Sequence, residues 1–169
     1  TGRTTHVLAV RATGGLASGP GAGVLHYRAG GASGQQERLT GLELFGGNFI
    51  FHPVRGYATS ARFGNIVWTT TAEYRFPLWL LNQGVRAWPL HFGQTIGAVF
   101  FDAGNAWGPN VDQNGFANGM RTPLASAGVE ITTEILGLYD IELRIRGGFA
   151  VPLVEGQGSQ WYVRAGLPF

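Results

Sequence analysis

Residues 138–153 read L-Y-D-I-E-L-R-I-R-G-G-F-A-V-P-L, the clearest indication of secondary structure in the chain. Apolar and aromatic residues occupy one set of alternate positions, namely Tyr139, Ile141, Leu143, Ile145, Phe149 and Val151. Charged residues occupy the other set, namely Asp140, Glu142, Arg144 and Arg146. Successive side chains of a strand point to opposite faces, whereas a helix with 3.6 residues per turn would mix the two sets. The stretch therefore predicts a β-strand with one apolar and one charged face.

The same alternation recurs along the chain. It predicts five further strands, at residues 6–13, 66–76, 95–107, 128–135 and 161–169. Residues 25–29 and 39–45 are candidates for two additional short strands. The fold class that follows is all-β and antiparallel. Six strands cannot close a transmembrane barrel, for which about eight are needed. Two alternatives remain: an eight-stranded barrel that uses both short strands, or the C-terminal part of a larger barrel, which we favour.

Composition leaves a soluble β-sandwich and a membrane β-barrel open. Charged residues make up 13% of the chain, about half the usual share. Hydrophobic residues make up 44%, and there are 28 glycines. The strand-borne charges lie on the polar faces and carry both signs, so they can pair across strands inside a lumen. Charge on a lipid face would cost about 2–4 kcal/mol near the midplane, and this segregation favours the barrel.

Several function classes lack support in the sequence. The formal net charge of +2 is too small for a nucleic-acid interface. No nucleophile elbow, zinc-protease motif or P-loop occurs, and the four histidines lack ligand spacing, so we expect no enzyme activity, cofactor or metal. No apolar run is long enough for a transmembrane helix. We expect Thr1 to be internal to an exported precursor, because no signal peptide precedes the first strand.

The connections between the predicted strands differ in length. The link at residues 135–139 is a tight turn, whereas residues 14–65, 108–123 and 155–159 form longer polar links. Short turns at one end and long loops at the other are typical of outer-membrane barrels. Residues 77–93 depart from this pattern, and their tryptophans and leucines suggest an interfacial segment between two strands.

Four motifs occur in a fixed order in the second part of the chain. They read F-G-G-N-F at 45–49, P-V-R-G-Y at 53–57, E-Y-R-F-P at 73–77 and F-F-D-A-G-N-A-W at 100–107, and the chain ends on Phe169. In this ordered set the sequence resembles the BamA/TamA outer-membrane assembly superfamily, also called the bacterial surface antigen family. The resemblance runs from about residue 45 to the C-terminus.

The resemblance implies a sixteen-stranded barrel, with residues 1–169 forming the C-terminal portion of that barrel domain. It also implies that the long loop at 14–65 folds back into the lumen and places Arg55 against Asp102, with Phe100 beside it and Glu73 nearby. The full set of expected latch residues is Val54, Arg55, Gly56, Tyr57, Glu73, Phe100, Asp102 and Gly104. Alternation along the predicted strands independently places Glu73, Phe100 and Asp102 on the polar faces. Gly56 permits a tight backbone at the tip of the loop. The alternative for Arg55 is a solvated loop charge.

The function implied by the resemblance is insertion or translocation of polypeptides at the bacterial outer membrane. The barrel would open at a weak seam between its first and last strands, and Gly166 and Pro168 would weaken pairing there. The expected seam residues are Trp161, Val163, Leu167 and Phe169. Expected partners are the outer-membrane lipid bilayer, the remaining strands of the barrel from the same or another chain, and client outer-membrane proteins. A structural anchor for a partner domain and a passive pore are the alternatives.

Overall fold

The protein is built around one antiparallel sheet, with a second small sheet lying on it. The computed structural model describes residues 5–19, 27–31, 51–84, 90–108, 122–137, 141–154 and 158–166. The strands are β1 (Val7–Leu16), β2 (Tyr27–Ala29), β3 (Phe51–His52), β4 (Arg62–Gly64), β5 (Ile66–Gly84), β6 (Leu90–Trp107), β7 (Leu124–Gly137), β8 (Ile141–Pro152) and β9 (Gln160–Gly166). The large sheet has the order β1-β5-β6-β7-β8-β9 with every neighbouring pair antiparallel. The predicted all-β antiparallel class is confirmed.

The two faces of the large sheet have opposite chemistry. The outer face exposes apolar side chains such as Leu8 (72%), Ile131 (52%) and Val163 (75%). The inner face carries Asp102 and Glu130, which are only 1% and 5% exposed. Alternation in the predicted strands predicts that six apolar side chains face outward: Val129, Ile131, Ile141, Leu143, Ile145 and Val163. Val129, Ile131 and Val163 are exposed, and Leu143 and Ile145 are half-buried, while the side chain of Ile141 lies outside the described residues.

The small sheet has the order β3-β2-β4 and is formed by the long connection between β1 and β5. The main-chain amide of Ala17 donates to the carbonyl of Asn65 at 2.8 Å, which brings the two ends of this connection together. Its strands contact β5 and β6 on the inner face of the large sheet. The connection therefore folds back over the sheet, and this geometry positions the candidate site.

Two boundaries predicted from sequence are wrong. Residues 77–93 do not form an interfacial link, because β5 continues to Gly84 and β6 begins at Leu90. Pro77 donates no ladder hydrogen bond, and the register shifts between Pro77 and Trp79, so the period-two pattern breaks although the strand continues. The loop also begins after Leu16 rather than at residue 14, since β1 runs through Gly14 and Gly15.

The two short candidate strands do not extend the large sheet. Residues 27–29 form β2 of the small sheet, and residues 39–45 lie outside the described residues. Within the described part of the chain, β1 pairs only with β5 and β9 only with β8. Among these described strands the two edge strands do not pair with each other, as expected, and they do not close an eight-stranded ring.

No helix in the described part of the chain has the length and apolarity needed to cross a membrane.

Candidate loop latch on the inner face

Arg55 lies against the inner face of the large sheet and is 5% exposed. Its Nε donates to Asp102 Oδ2 at 2.6 Å, its Nη2 donates to Asp102 Oδ1 at 2.7 Å, and its main-chain amide donates to Oδ2 at 3.1 Å. A planar guanidinium matches a carboxylate in this two-pronged geometry. The contact expected from the resemblance is therefore present, and Arg55 is not a solvated loop charge.

Further groups surround the same guanidinium. Arg55 Nη1 lies 2.8 Å from Glu73 Oε1 and 3.5 Å from Glu130 Oε2. The Cζ atom of Arg55 lies 3.5 Å from the centroid of the Phe100 ring, within the range of a cation–π contact. Burial opposes the charge on Arg55, but the hydrogen bonds and charge of Asp102, together with the charge of Glu73, raise its pKa above the ordinary value. Arg55 is therefore a permanent cation that holds β5, β6 and β7 together.

The ionic cluster around the loop is balanced in charge. Arg75 lies 2.6 Å from Glu73, and Arg146 lies 3.7 Å from Glu130. Three arginines thus accompany three carboxylates: Arg55, Arg75 and Arg146 with Glu73, Asp102 and Glu130. Because a buried charge is costly without a partner, the removal of Arg55 would leave acidic groups uncompensated.

Val54 and Gly104 fit together beside this cluster. Val54 is fully buried in a small apolar cluster with Tyr57 and Leu124. A Cβ atom added to Gly104 would lie 2.9 Å from Val54 Cγ2 and 2.6 Å from Thr69 Cγ2. A side chain at position 104 would therefore displace the loop, which explains glycine two residues after Asp102.

Gly56 lets the loop turn close to β7 and β8. Its φ is 87°, a conformation that residues with a Cβ seldom adopt. An added Cβ would lie 3.2 Å from Ala150 Cβ and 3.3 Å from Ser126 Cβ. The tight backbone expected at the tip is present, and it brings the chain from β6 toward the C-terminal strands.

Tyr57 attaches this part of the loop to β7 and to the residues just after β8. Its hydroxyl lies 2.7 Å from the Val154 carbonyl and 2.8 Å from the Ala125 carbonyl, so its proton can be donated to either. The same hydroxyl accepts from the Ala125 amide at 3.3 Å. Residues 54–57, which we call the loop tip, therefore contact β5 through β8 and the residues just after β8.

Residues 27–31 support the loop tip from behind. The amide of Gly30 donates to the His52 carbonyl at 3.0 Å, and the amide of Gly31 donates to the Tyr57 carbonyl at 3.1 Å. Both glycines have positive φ, 120° and 82°. A Cβ on Gly30 would lie 2.5 Å from the Ala58 carbonyl oxygen, so another residue would strain the support.

His52 makes a separate attachment to β1. Its Nδ1 lies 3.1 Å from Thr13 Oγ1, which also lies 2.7 Å from Thr69 Oγ1. The ring is 7% exposed, and its Nε2 is buried without a hydrogen-bond partner in the described structure. Burial and the charge of Arg11 lower the pKa of His52, so the neutral form is favoured there.

The expected seam residues are only partly described. Trp161 and Val163 lie on the outer face of β9 and are 80% and 75% exposed. The Trp161 ring lies 4.5 Å from the Phe149 ring on β8. Leu167 and Phe169 lie outside the described residues. Their assignment to a seam stays a prediction.

Sequence reasoning missed several contributors to the latch. Alternation in the predicted strand at 128–135 puts Glu130 on its polar face, but its distance from Arg55 depends on the register in which Ala98 pairs with Glu130. Gly30, Gly31 and His52 lie within the predicted link at residues 14–65, where no local pattern distinguishes them.

One comparison with known proteins found a match, and it agrees with this geometry. No curated protein and no solved structure matches the chain. The model of the Omp85 superfamily domain matches residues 20–159, which cover most of the 169 residues and include the loop tip, Glu73, Asp102 and Glu130. Members of this superfamily are outer-membrane proteins involved in protein insertion or translocation, as the BamA/TamA resemblance implies. The chain belongs to the Omp85 superfamily.

Proposed function

We propose that the chain is the C-terminal part of an outer-membrane β-barrel that inserts or translocates polypeptides. The observation that carries this proposal is the Arg55–Asp102 latch. It fixes a loop on the inner face of a sheet whose outer face is apolar. A pure anchor could keep its outer face apolar without burying an arginine among three carboxylates. We attribute to the latch the role of keeping the inner wall in one shape while the edge strands change partners.

The edges of the sheet support the second part of the proposal. β9 has seven residues, against 18 in β6, and pairs on one side only in the described structure. Unpaired backbone groups in lipid cost several kcal/mol each, so both edges need partners from another segment or chain. We propose that β9 and the residues that follow it in the sequence form one half of the seam, with Trp161, Val163, Leu167 and Phe169 as its residues. The first strand of the complete barrel would be the other half, and a client strand would replace it.

The proposal is tested with the full-length precursor reconstituted into lipid vesicles. An unfolded outer-membrane protein is added, and its insertion is followed by protection from protease and by the gel-mobility shift of a folded barrel. We expect faster insertion than in empty vesicles. The matched control carries a disulfide that joins β9 to its neighbour across the seam, and insertion should return to the rate of empty vesicles when the disulfide is oxidised.

The alternatives predict other results. Insertion at the rate of empty vesicles, with the precursor correctly folded, would support a structural anchor and contradict the proposal. Leakage of a small fluorescent solute without any insertion would support a passive pore.

A further inference from the structure

Glu130 contacts both the loop tip and the last strand of the sheet. Its Oε2 atom accepts a hydrogen bond from the Tyr162 hydroxyl at 2.9 Å and lies 3.5 Å from Arg55 Nη1. Its Oε1 atom lies 3.7 Å from Arg146 Nη1. Since Glu130 is 5% exposed, water competes little for these contacts. One oxygen atom thus joins a residue of the loop to a residue of β9.

Tyr162 is held over β8 as well. It pairs with Gly148 in the β8–β9 ladder, and its ring occupies the space that a side chain at Gly148 would need. The ring therefore crosses β8, which brings the hydroxyl to Glu130 on β7. This arrangement supports an edge strand that has main-chain hydrogen bonds on one side only in the described structure.

The loop tip also contacts the hairpin that β8 and β9 form. The Tyr57 hydroxyl is within hydrogen-bond distance of the Val154 carbonyl, just after β8, and Gly56 packs against Ala150. Gly56 and Tyr57, two consecutive residues of the loop tip, thus contact the β8–β9 hairpin at two places. Neither contact is needed for the Arg55–Asp102 pair, which involves β6 alone.

We propose that Glu130 and Tyr162 are positioning residues that connect the loop tip to β9, so that attachment of the tip determines how firmly β9 is held on β8. This inference rests on the proposed function only in assigning β9 to the seam. The physical connection stands on the contacts of Glu130 and does not depend on any client. When the loop tip leaves the inner face, Glu130 loses its contact with Arg55. The support that Glu130 gives to Tyr162 then weakens.

The test is amide hydrogen exchange in the full-length precursor folded in lipid nanodiscs. The variant Tyr162→Phe keeps the ring over Gly148 and removes only the hydroxyl. We expect exchange to rise about tenfold, as for the loss of one hydrogen bond to a charged group, in residues 160–166 and also in the loop tip. The loop tip is included because coupling between two sites is reciprocal.

Tyr74→Phe is the matched control. It removes a hydroxyl that lies 2.9 Å from His6 Nδ1 on the outer face of the same sheet, away from Glu130. We expect no change at the loop tip or in β9. A second variant, Glu130→Gln, keeps the shape of the side chain and removes its charge, and it should loosen the same two segments. A variant that combines Tyr162→Phe with Glu130→Gln should raise amide exchange in these segments no more than the stronger single variant does.

The outcomes separate this inference from the proposed function. Faster exchange in β9 with an unchanged loop tip, or equal effects of Tyr162→Phe and Tyr74→Phe, would overturn the connection even if insertion is normal. Additive effects in the double variant would overturn it too. If Tyr162→Phe does not fold, Glu130→Gln decides the question by the same measurement. Loss of insertion with the connection intact would count against the proposed function alone.

Discussion

The two faces of the large sheet follow opposite rules although they share every strand. On β7 the neighbours Glu130 and Ile131 are 5% and 52% exposed, the reverse of what is usual in a water-soluble sheet. The two faces therefore meet different surroundings. The inner face is covered by a loop that supplies partners for its charges, and the outer face exposes apolar groups that we propose contact lipid. The following predictions test this contrast, beginning with the largest expected effect.

The first prediction concerns the buried pair on the inner face. Asp102→Ala should lower the free energy of unfolding by about 3–5 kcal/mol, because it leaves Arg55 buried without its main partner. Urea unfolding of the full-length protein in lipid vesicles, followed by tryptophan fluorescence, measures the change. Glu134→Ala is the matched control, since the Glu134–Arg144 pair has the same chemistry on the same face but is more exposed. We expect a change below about 1 kcal/mol there. Equal decreases in the free energy of unfolding for Asp102→Ala and Glu134→Ala would mean that burial of the Arg55–Asp102 pair by the loop contributes nothing to stability.

The second prediction compares adjacent residues on opposite faces. Ile131→Lys should destabilise the folded protein by about 2–4 kcal/mol, because it places a cation toward lipid near the middle of β7. Thr132→Lys makes the same addition on the inner face, between Glu130 and Glu134 of the same strand. It should change the free energy of unfolding by less than about 1 kcal/mol. The same urea titration measures both, and a larger loss for Thr132→Lys would contradict the assignment of faces.

The third prediction tests the close packing of rings over glycines on the inner face. A Cβ on Gly128 would lie 2.5 Å from Phe100 Cζ and would also meet the Phe149 carbonyl. We expect Gly128→Ala to cost about 1–3 kcal/mol and to move Phe100 away from Arg55. Gly147→Ala is the control, because nothing lies within 4 Å of its added Cβ. Its change should stay within about 0.5 kcal/mol. Thermal unfolding in vesicles measures both, and equal shifts would refute the packing argument.

The fourth prediction concerns pH and has the smallest effect. The pKa of His52 lies below its ordinary value of 6.5 because of burial and the charge of Arg11. The unfolded or detached loop therefore binds a proton more readily than the folded one. The stabilisation by neutral His52 is complete above pH 6.5 and is lost as the pH falls below that value. Limited proteolysis of the loop at a series of pH values should show faster cleavage on acidification. His52→Gln should abolish that dependence, and a variant that keeps it would exclude His52 as its source.

How far the sequence predicts the site depends on whether a feature is local. Alternation at 139–151 needs only neighbouring residues, so the strand and its two faces follow from the sequence alone. The motifs around Arg55 and Asp102 predicted their contact through the family resemblance. The break at Pro77 misled the prediction because a bulge of one extra residue follows it, after which the β5–β6 ladder continues from Trp79. Glu130 escaped because its place beside Arg55 depends on the register between β6 and β7.

The amino-acid sequence was sufficient to predict the strand type, the apolar and charged faces and the mixed signs of the charges, because these follow from side-chain chemistry and from the period of two. The family resemblance identified the loop tip and implied the Arg55–Asp102 contact with Glu73 nearby. The complete set of charges that meet was established by the tertiary structure. It placed Glu73, Asp102 and Glu130 from three strands around one arginine. It also placed His52 beside Thr13 and Tyr162 beside Glu130. These contacts join residues 18 to 75 positions apart, so their distances are set by strand register and by the path of the loop.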